Sequence, residues 1–333
     1  MARRGFWQEA GLWLTILVWS LNFLAVKIGV GDLPPTVFTA LRFLIALPAL
    51  WFLAARQGGM AVRREDILPL AASGLIGIAV YQYLFTSSIA WTDVASAAVL
   101  MTLSPAIGAV WGHLSRMDPL RPGNWLGVAL GTLGATIVIL GARRAAGPVA
   151  PHPLLGDLAA LGAAALWALY GILSTPLVRR LPPLTVTTWQ ALFGLVALVP
   201  AAATGLGRTH LGWPALTVLY SALPVTVFGL TFWQGATGRL GPSRVLVYLN
   251  AEPVIAALAA AWLLRAPLTP WVGIGGTLSL AGVYLARIGS LPRPRKSGAE
   301  DVQLPLARWP SGRLTEQEAM CKMGPKDDRL SRD

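Results

Sequence analysis

Leu103-Ser104-Pro105 and Ala251-Glu252-Pro253 stand 148 residues apart, and the same offset lays the first half of the chain on the second without a gap. Trp19 falls on Trp167, and Leu33-Pro34-Pro35 on Leu181-Pro182-Pro183. Pro119 and Pro122 meet Pro267 and Pro270, while Gly127 and Gly134 meet Gly275 and Gly282. One such match is noise; this many at one offset is an internal repeat. The first repeat holds long apolar runs at 11–29, 36–55, 67–88, 95–113 and 125–140, and the second at 158–178, 184–203, 213–231, 245–264 and 271–288. Runs of about 18–22 apolar residues suit helices that cross a hydrocarbon layer. Five is odd, so the second repeat must enter the bilayer in the opposite sense. The expected fold is an all-α integral membrane protein: ten transmembrane helices as two inverted-topology five-helix repeats.

Composition points the same way. The chain is 55% hydrophobic and 13% charged, with a mean hydropathy of +0.59, unlike a soluble enzyme. The net charge of +12 could suggest nucleic acid, but Arg and Lys lie at helix ends and in the tail rather than on one basic module. That pattern fits the positive-inside bias and argues against a nucleic-acid partner. With the N-terminus inside, the inner loops hold eleven Arg and the outer loops four, which places both termini in the cytoplasm and the 145–155 loop outside. Arg143 and Arg144 pull mildly the other way. The start resembles a signal peptide only superficially, because its run is long and holds Trp13, Trp19 and Asn22; a retained first span is expected. Residues 1–146 then form the first repeat and 147–289 the second. Residues 290–333, polar and poor in large apolar side chains, form a disordered cytoplasmic tail.

Several chemistries lack their parts. Cys321, the single cysteine, lies in the polar tail, so no disulfide framework or cysteine metal site is possible. The histidines His113, His152 and His210 are far apart at or near helix ends, so no metal or other cofactor is expected. No phosphate-binding Gly-x4-Gly-Lys-Ser/Thr loop points to ATP, and neither a His-Glu-x2-His nor a Gly-x-Ser-x-Gly motif points to hydrolysis.

Three charges fall within spans: Lys27, Arg42 and Glu252. A carboxylate in the middle of such a run costs on the order of 3 kcal/mol or more to insert and normally faces a bundle interior or wet cavity. Pro253 beside it removes a backbone donor, tolerable where protein or a cavity re-satisfies the backbone. Arg42 lies seven residues beyond Pro35, roughly 10 Å deep at about 1.5 Å per residue, and needs a carbonyl or carboxylate partner. Glu252 is the one intramembrane carboxylate on offer. Lys27 is close enough to the outer interface to snorkel there or to turn into a cavity. In the repeat Lys27 falls on Thr175, Arg42 on Gln190 and Glu252 on Ser104, so the charges are asymmetric on a symmetric scaffold. Trp167, Tyr170 and Ser174 share one helical face, and Tyr248 lies one turn before Glu252. Tyr81, Gln82 and Tyr83 sit mid-span. Such a set suits a pocket with aromatic walls and few polar groups, or ordinary interhelical packing. Gly127-x3-Gly131 reads as helix packing. Pro105 and Pro253, at equivalent places, are candidate hinges.

At Trp19-Ser20-Leu21-Asn22-Phe23-Leu24-Ala25-Val26-Lys27 the chain resembles the drug/metabolite transporter superfamily, specifically its EamA-like branch. Pro35-x6-Arg42, Leu103-Ser104-Pro105, Glu252-Pro253-Val254 and Leu280-Ala281-Gly282-Val283-Tyr284-Leu285 agree, and the resemblance covers about residues 10–288. It implies a multi-pass protein of the bacterial cytoplasmic membrane, not an enzyme, that exports amino acids, metabolites or drug-like solutes by alternating access. The candidate substrate or coupling residues are Glu252, Arg42, Lys27, Asn22, Tyr81, Trp167 and Tyr248. The partners are the bilayer and a small solute, with a proton or counter-solute as the coupling species. One departure stands out: where the family has Gly-Glu before each repeat's fifth helix, this chain has Met117-Asp118 and Arg265-Ala266. A non-transporting membrane scaffold or assembly factor is the alternative; it would tolerate Glu252→Gln and Arg42→Gln without a solute phenotype.

Overall fold

The computed structural model describes residues 2–57, 59–92, 94–115, 122–143, 151–208, 212–213, 215–255, 258 and 270–288. The tail at 290–333 and the Met117-Asp118 and Arg265-Ala266 pairs lie outside these residues, as does most of the central loop.

All regular structure among the described residues is helical. In the first half α1 spans Ala2–Asp32, α2 Pro35–Arg56, α3 Arg64–Gly74, α4 Tyr81–Trp91, α5 Val94–Met101, α6 Ser104–Leu114 and α7 Pro122–Arg143. In the second, α8 spans Pro153–Arg180, α9 Pro183–Ala203, α10 Ala215–Tyr220, α11 Thr231–Leu240, α12 Pro242–Leu246 and α13 Pro270–Ile288. Proline opens several of them, including α2, α8 and α9, where its missing N–H is no loss and its fixed φ is already helical. Among the described residues six helices are long and apolar enough to cross a membrane: Glu9–Asp32, Pro35–Arg56, Arg64–Trp91, Pro153–Arg180, Pro183–Ala203 and Leu216–Leu240. Their outer faces carry large apolar side chains, Leu44, Phe52, Leu158 and Val196 among them, each at least 55% exposed. In water so much apolar surface would be a liability; against lipid it is the solvent-matched face.

The packing follows the repeat. α1 lies against the 216–240 helix of the second half, and α8 against the 64–91 helix of the first. α2 meets Ser221–Leu230 while α9 meets α3 and Leu75–Val80; α2 also meets α9, and α7 meets α13. Exchanging the halves maps each of these pairs onto its mate or onto itself, which is what a pseudo-two-fold relation requires. The 64–91 helix and α8 run antiparallel and are tied at both ends. Arg180 reaches buried Asp66 at 2.7 Å. At the far end Thr92 donates to Asp157 at 2.9 Å and the His152 N–H to the Trp91 carbonyl at 3.0 Å.

Irregular backbone also comes in repeat-related pairs. The fourth apolar run is broken: α5 stops at Met101, Thr102 and Leu103 turn, and α6 starts with Pro105 in its first turn. The ninth run breaks at the matching place, where Val247–Ala251 is a 3-10 segment between α12 and the helical residues 252–255. Proline at these positions cannot donate the bond that would keep the run continuous. Both third helices contain π-helix as well, at Leu75–Val80 between α3 and α4 and at Ser221–Leu230 between α10 and α11. The eighth helix runs nine residues past the expected end at 231, to Leu240, because Gln234 and Thr237 are polar yet buried. A hydropathy run ends where such residues begin; the helix does not.

Gly127-x3-Gly131 acts inside the molecule. At Gly282 a Cβ would stand 2.2 Å from the Gly131 backbone nitrogen, and at Gly134 2.2 Å from that of Ser279. The obstacles are backbone, so nothing can swing aside. Gly282→Leu is expected to force α7 and α13 apart at a cost of about 1–3 kcal/mol or more. Gly273→Leu, where nothing lies within 4 Å, is its control. Thermal unfolding in detergent should lower the midpoint of the first variant alone; equal midpoints would show that this contact does not hold the pair.

Candidate functional site

A cavity lies at the meeting of the two halves, walled by α1, α2, α4, α5 and α8, the eighth helix and the broken ninth. The volume open to the centres of water-sized spheres is about 100 Å³, several times the roughly 10–15 Å³ that one water needs. Its wall is mostly aromatic and aliphatic: Trp19, Phe23, Tyr81, Phe85 and Trp167 carry most of the ring surface. Asn22, Arg42, Gln82, Thr102 and Glu252 supply the polar groups.

Arg42 projects from α2. Its Nε donates to Thr226 Oγ1 at 2.7 Å and one terminal nitrogen to Gln82 Oε1 at 3.1 Å. Thr226 Oγ1 donates in turn to the Ser221 carbonyl at 2.8 Å, a bond made across five residues of the π segment. The side-chain carbonyl of Gln82 is the carbonyl partner that the depth of Arg42 calls for, the Thr226 hydroxyl is a second neutral acceptor, and no ion pair with Glu252 forms among the described residues. A guanidinium has five N–H donors. Among the described residues two of them are engaged, and Arg42 lines the cavity.

Glu252 starts the helical turn after the 3-10 segment, half-buried, and Pro253 lines the cavity beside it. Among the described residues it makes no hydrogen bond and no ion pair. The cavity therefore carries a held cation with idle donors on one wall and an untethered carboxyl group on another. Such a pair can meet a solute with both an anionic and a cationic or donor group.

The structure distributes the other sequence candidates unequally. Asn22, Tyr81 and Trp167 line the cavity with Arg42 and Glu252. Asn22 Oδ1 accepts from Ser221 Oγ at 2.6 Å. The Tyr81 and Trp167 rings lie 4.7 Å apart, and Trp167 meets Trp19, its repeat mate, edge to face at 5.3 Å. Lys27 is not on the cavity wall; its Nζ donates to the Ile89 carbonyl at 3.0 Å near the end of α4. Tyr248 is also off the wall and meets Trp13 edge to face at 5.5 Å. Pro105 is buried in the first turn of α6, away from the cavity lining. Among the described residues no three His, Cys, Asp or Glu side chains converge to hold a metal.

A second polar set had not been assembled from the sequence. Gln190, the repeat mate of Arg42, donates from Nε2 to Ser73 Oγ at 2.8 Å and Ser174 Oγ at 2.9 Å. Its Oε1 accepts from Tyr170 at 2.8 Å and from Gln234 Nε2 at 2.9 Å. Gln234 also donates to the Tyr170 hydroxyl at 2.6 Å. All five side chains are buried, and none lines the cavity. The shared face of Trp167, Tyr170 and Ser174 was one signal for this set. Gln234 gave none, because it lies past the end of the apolar run.

Repeated helices around a mid-bundle cavity with broken walls define a membrane transporter of the solute-cavity kind. The sequence pattern of the EamA-like transporter family matches residues 8–140 and 154–288, and the chain belongs to that family, with two EamA domains. It is a multi-pass integral membrane protein and not an enzyme. An uncharacterized transporter of Archaeoglobus fulgidus is 26% identical over 279 residues, covering 82% of this chain and 94% of that one. A probable amino-acid metabolite efflux pump of Salmonella typhimurium is 25% identical, covering 83% and 93%. A probable terminal-alkyne amino-acid exporter of Streptantibioticus cattleyicolor is 25% identical, covering 85% and 94%. The fold is also similar to a solved crystal structure at a TM-score of 0.70 and 23% identity, covering 84% of this chain and 96% of the other.

The Arg42–Thr226 bond predicts a measurable coupling. Arg42→Met should lower the thermal midpoint less in a Thr226→Val background than in the parent, with an interaction of about 0.5–3 kcal/mol. Additive shifts would show that the bond contributes nothing to holding the guanidinium.

Proposed function

We propose that this protein is a secondary transporter of the bacterial cytoplasmic membrane that exports a small metabolite, amino acid or drug-like solute by alternating access. The observation that carries this is the cavity between the repeats, where Arg42 holds idle donors and Glu252 stands untethered against aromatic walls. Relatives named as efflux pumps and exporters support the direction. Ten spans in two inverted five-helix repeats support the mechanism, since exchanging the roles of the halves moves access from one side to the other. The loop charges support cytoplasmic termini. Single cysteines at Gly59 and Ala146, with Cys321 replaced, are then expected to react from opposite sides of the membrane; reaction from one side would sink the inverted arrangement.

Pro105 and Pro253 act as hinges in this scheme. Both sit just after breaks in otherwise helical runs, at the same place in each repeat. Their joint replacement by Ala should leave expression near normal and slow turnover. An unchanged turnover rate in the double variant would make them structural only.

Glu252 is the proposed coupling residue, because its carboxylate can take either a proton or the cationic group of a solute whose anionic group Arg42 holds. Substrate and proton then compete. Glu252→Gln is expected to abolish proton-driven flux in proteoliposomes while solute exchange and binding survive. Proton-driven accumulation with an unaltered pH profile in that variant would remove Glu252 from the coupling step.

A further inference from the structure

Three positions of the second polar set are repeat mates of positions in the first: Tyr170 of Asn22, Gln190 of Arg42 and Ser73 of Ser221. The two sets occupy equivalent places in the two halves, yet among the described residues the first borders the cavity and the second does not line it. The second is shut, and what shuts it is visible. A Cβ at Gly77 would fall 2.0 Å from the Tyr170 ring, one at Gly74 2.6 Å from the Gln190 carbonyl oxygen, and one at Gly194 2.4 Å from the Ile78 Cβ. Glycine thus lets the 64–91 helix lie directly on α8 and α9. The mates of Gly74 and Gly77 are Ala222 and Val225, and Val225 lines the open cavity. Each third helix carries its π segment at this level, Leu75–Val80 on the shut side and Ser221–Leu230 on the open side. A π segment can shift register locally at smaller cost than an unbroken α-helix, and such segments gather where helices must change their contacts.

We propose that Tyr170, Ser174, Gln190 and Gln234, with Ser73, are a second solute-binding half-site, which lines the cavity of the opposite conformation. The proposal rests on the transport reading above. In that conformation the 64–91 helix lifts from α8 and α9, and the bonds around Gln190 pass to the solute and water. The set offers two carboxamides, a phenol and two hydroxyls but no formal charge. Its ligands are therefore neutral hydrogen-bonding groups and carboxylate oxygens, bound without an ion pair. The charged half-site and the neutral one then hold the same solute differently on the two sides of the membrane.

The test uses the full chain with Cys321→Ser, in right-side-out and inside-out vesicles, with a membrane-impermeant maleimide. Ala98→Cys, on the open cavity, is expected to react from one face only. Ser174→Cys is expected to react slowly, and from the other face only. Gly77→Ala, or Gly194→Ala should the first fail to fold, wedges the shut interface and is expected to speed the Ser174→Cys reaction about tenfold or more. Reaction of Ser174→Cys from the same face as Ala98→Cys overturns the proposal. So does the absence of reaction from either face, with or without the glycine variants, in protein whose Ala98→Cys still reacts. Solute counterflow in proteoliposomes separates the two readings. Counterflow without Ser174→Cys reactivity removes this half-site alone, and two-faced reactivity without counterflow of any solute removes the transport reading.

Discussion

The hydrocarbon layer offers no water, so each polar group inside the bundle must find its partner within the protein or at a wet cavity. Most of the site follows from this. Arg42 is held by Thr226 and Gln82 from two different helices. The Trp19 indole N–H satisfies the Val225 carbonyl at 3.1 Å, in backbone that the π segment has displaced from regular α-helix. Lys27, which does not line the cavity, takes the Ile89 carbonyl. The helix breaks at Thr102–Leu103 and Val247–Ala251 fall beside the cavity wall, where Thr102, Leu249 and Pro253 are lining residues. At these two breaks the freed backbone groups lie where the cavity can reach them.

The same constraint explains why the halves carry different chemistry at equivalent positions. At one scaffold position the first half has Arg42, with two engaged bonds and idle donors; the second has Gln190, which makes four bonds to four side chains. A carboxamide has two donors and an oxygen with two lone pairs, so Gln190 is saturated. A guanidinium in the shut half would leave donors orphaned and a charge desolvated, at a cost of several kcal/mol. A saturated Gln at the cavity wall would have nothing to offer a solute. Each residue suits the half that holds it.

The fold was legible to the extent that it is written in hydrophobicity and in repetition. Apolar runs mark the six long helices, and the 148-residue offset between Pro105 and Pro253 marks the place of both helix breaks. Asn22, Arg42, Tyr81, Trp167 and Glu252 could be picked out because polar or aromatic residues are conspicuous in an apolar run, and these five meet at the cavity. Three features left no such trace. The two π segments share no residue signature, since Pro224 lies within the second and no proline within the first. Thr226 meets Arg42 across 184 positions of chain, a pairing set by tertiary structure alone. Gln234 hid because buried polar residues end a hydropathy run without ending the helix. Tyr248 and Lys27 show the converse: helical spacing and depth made them candidates, and the direction of the side chain took them off the cavity wall.

Between the two polar sets stands an aromatic layer. Trp19 and Trp167 are repeat mates in edge-to-face contact, and Trp233 lies 5.0 Å from the first and 5.8 Å from the second. Aromatic pairs contribute about 0.5–1.5 kcal/mol each beyond their buried area, and tilted and edge-on arrangements are close in energy. Rings can therefore slide past one another with little change in free energy. Buried hydrogen bonds are directional, and a donor or acceptor left unpaired costs about 1–3 kcal/mol. If the halves exchange roles as proposed, the balance between the two conformations is set by the bonds around Gln190 against those that the solute makes with Arg42 and Glu252, and not by the aromatic layer.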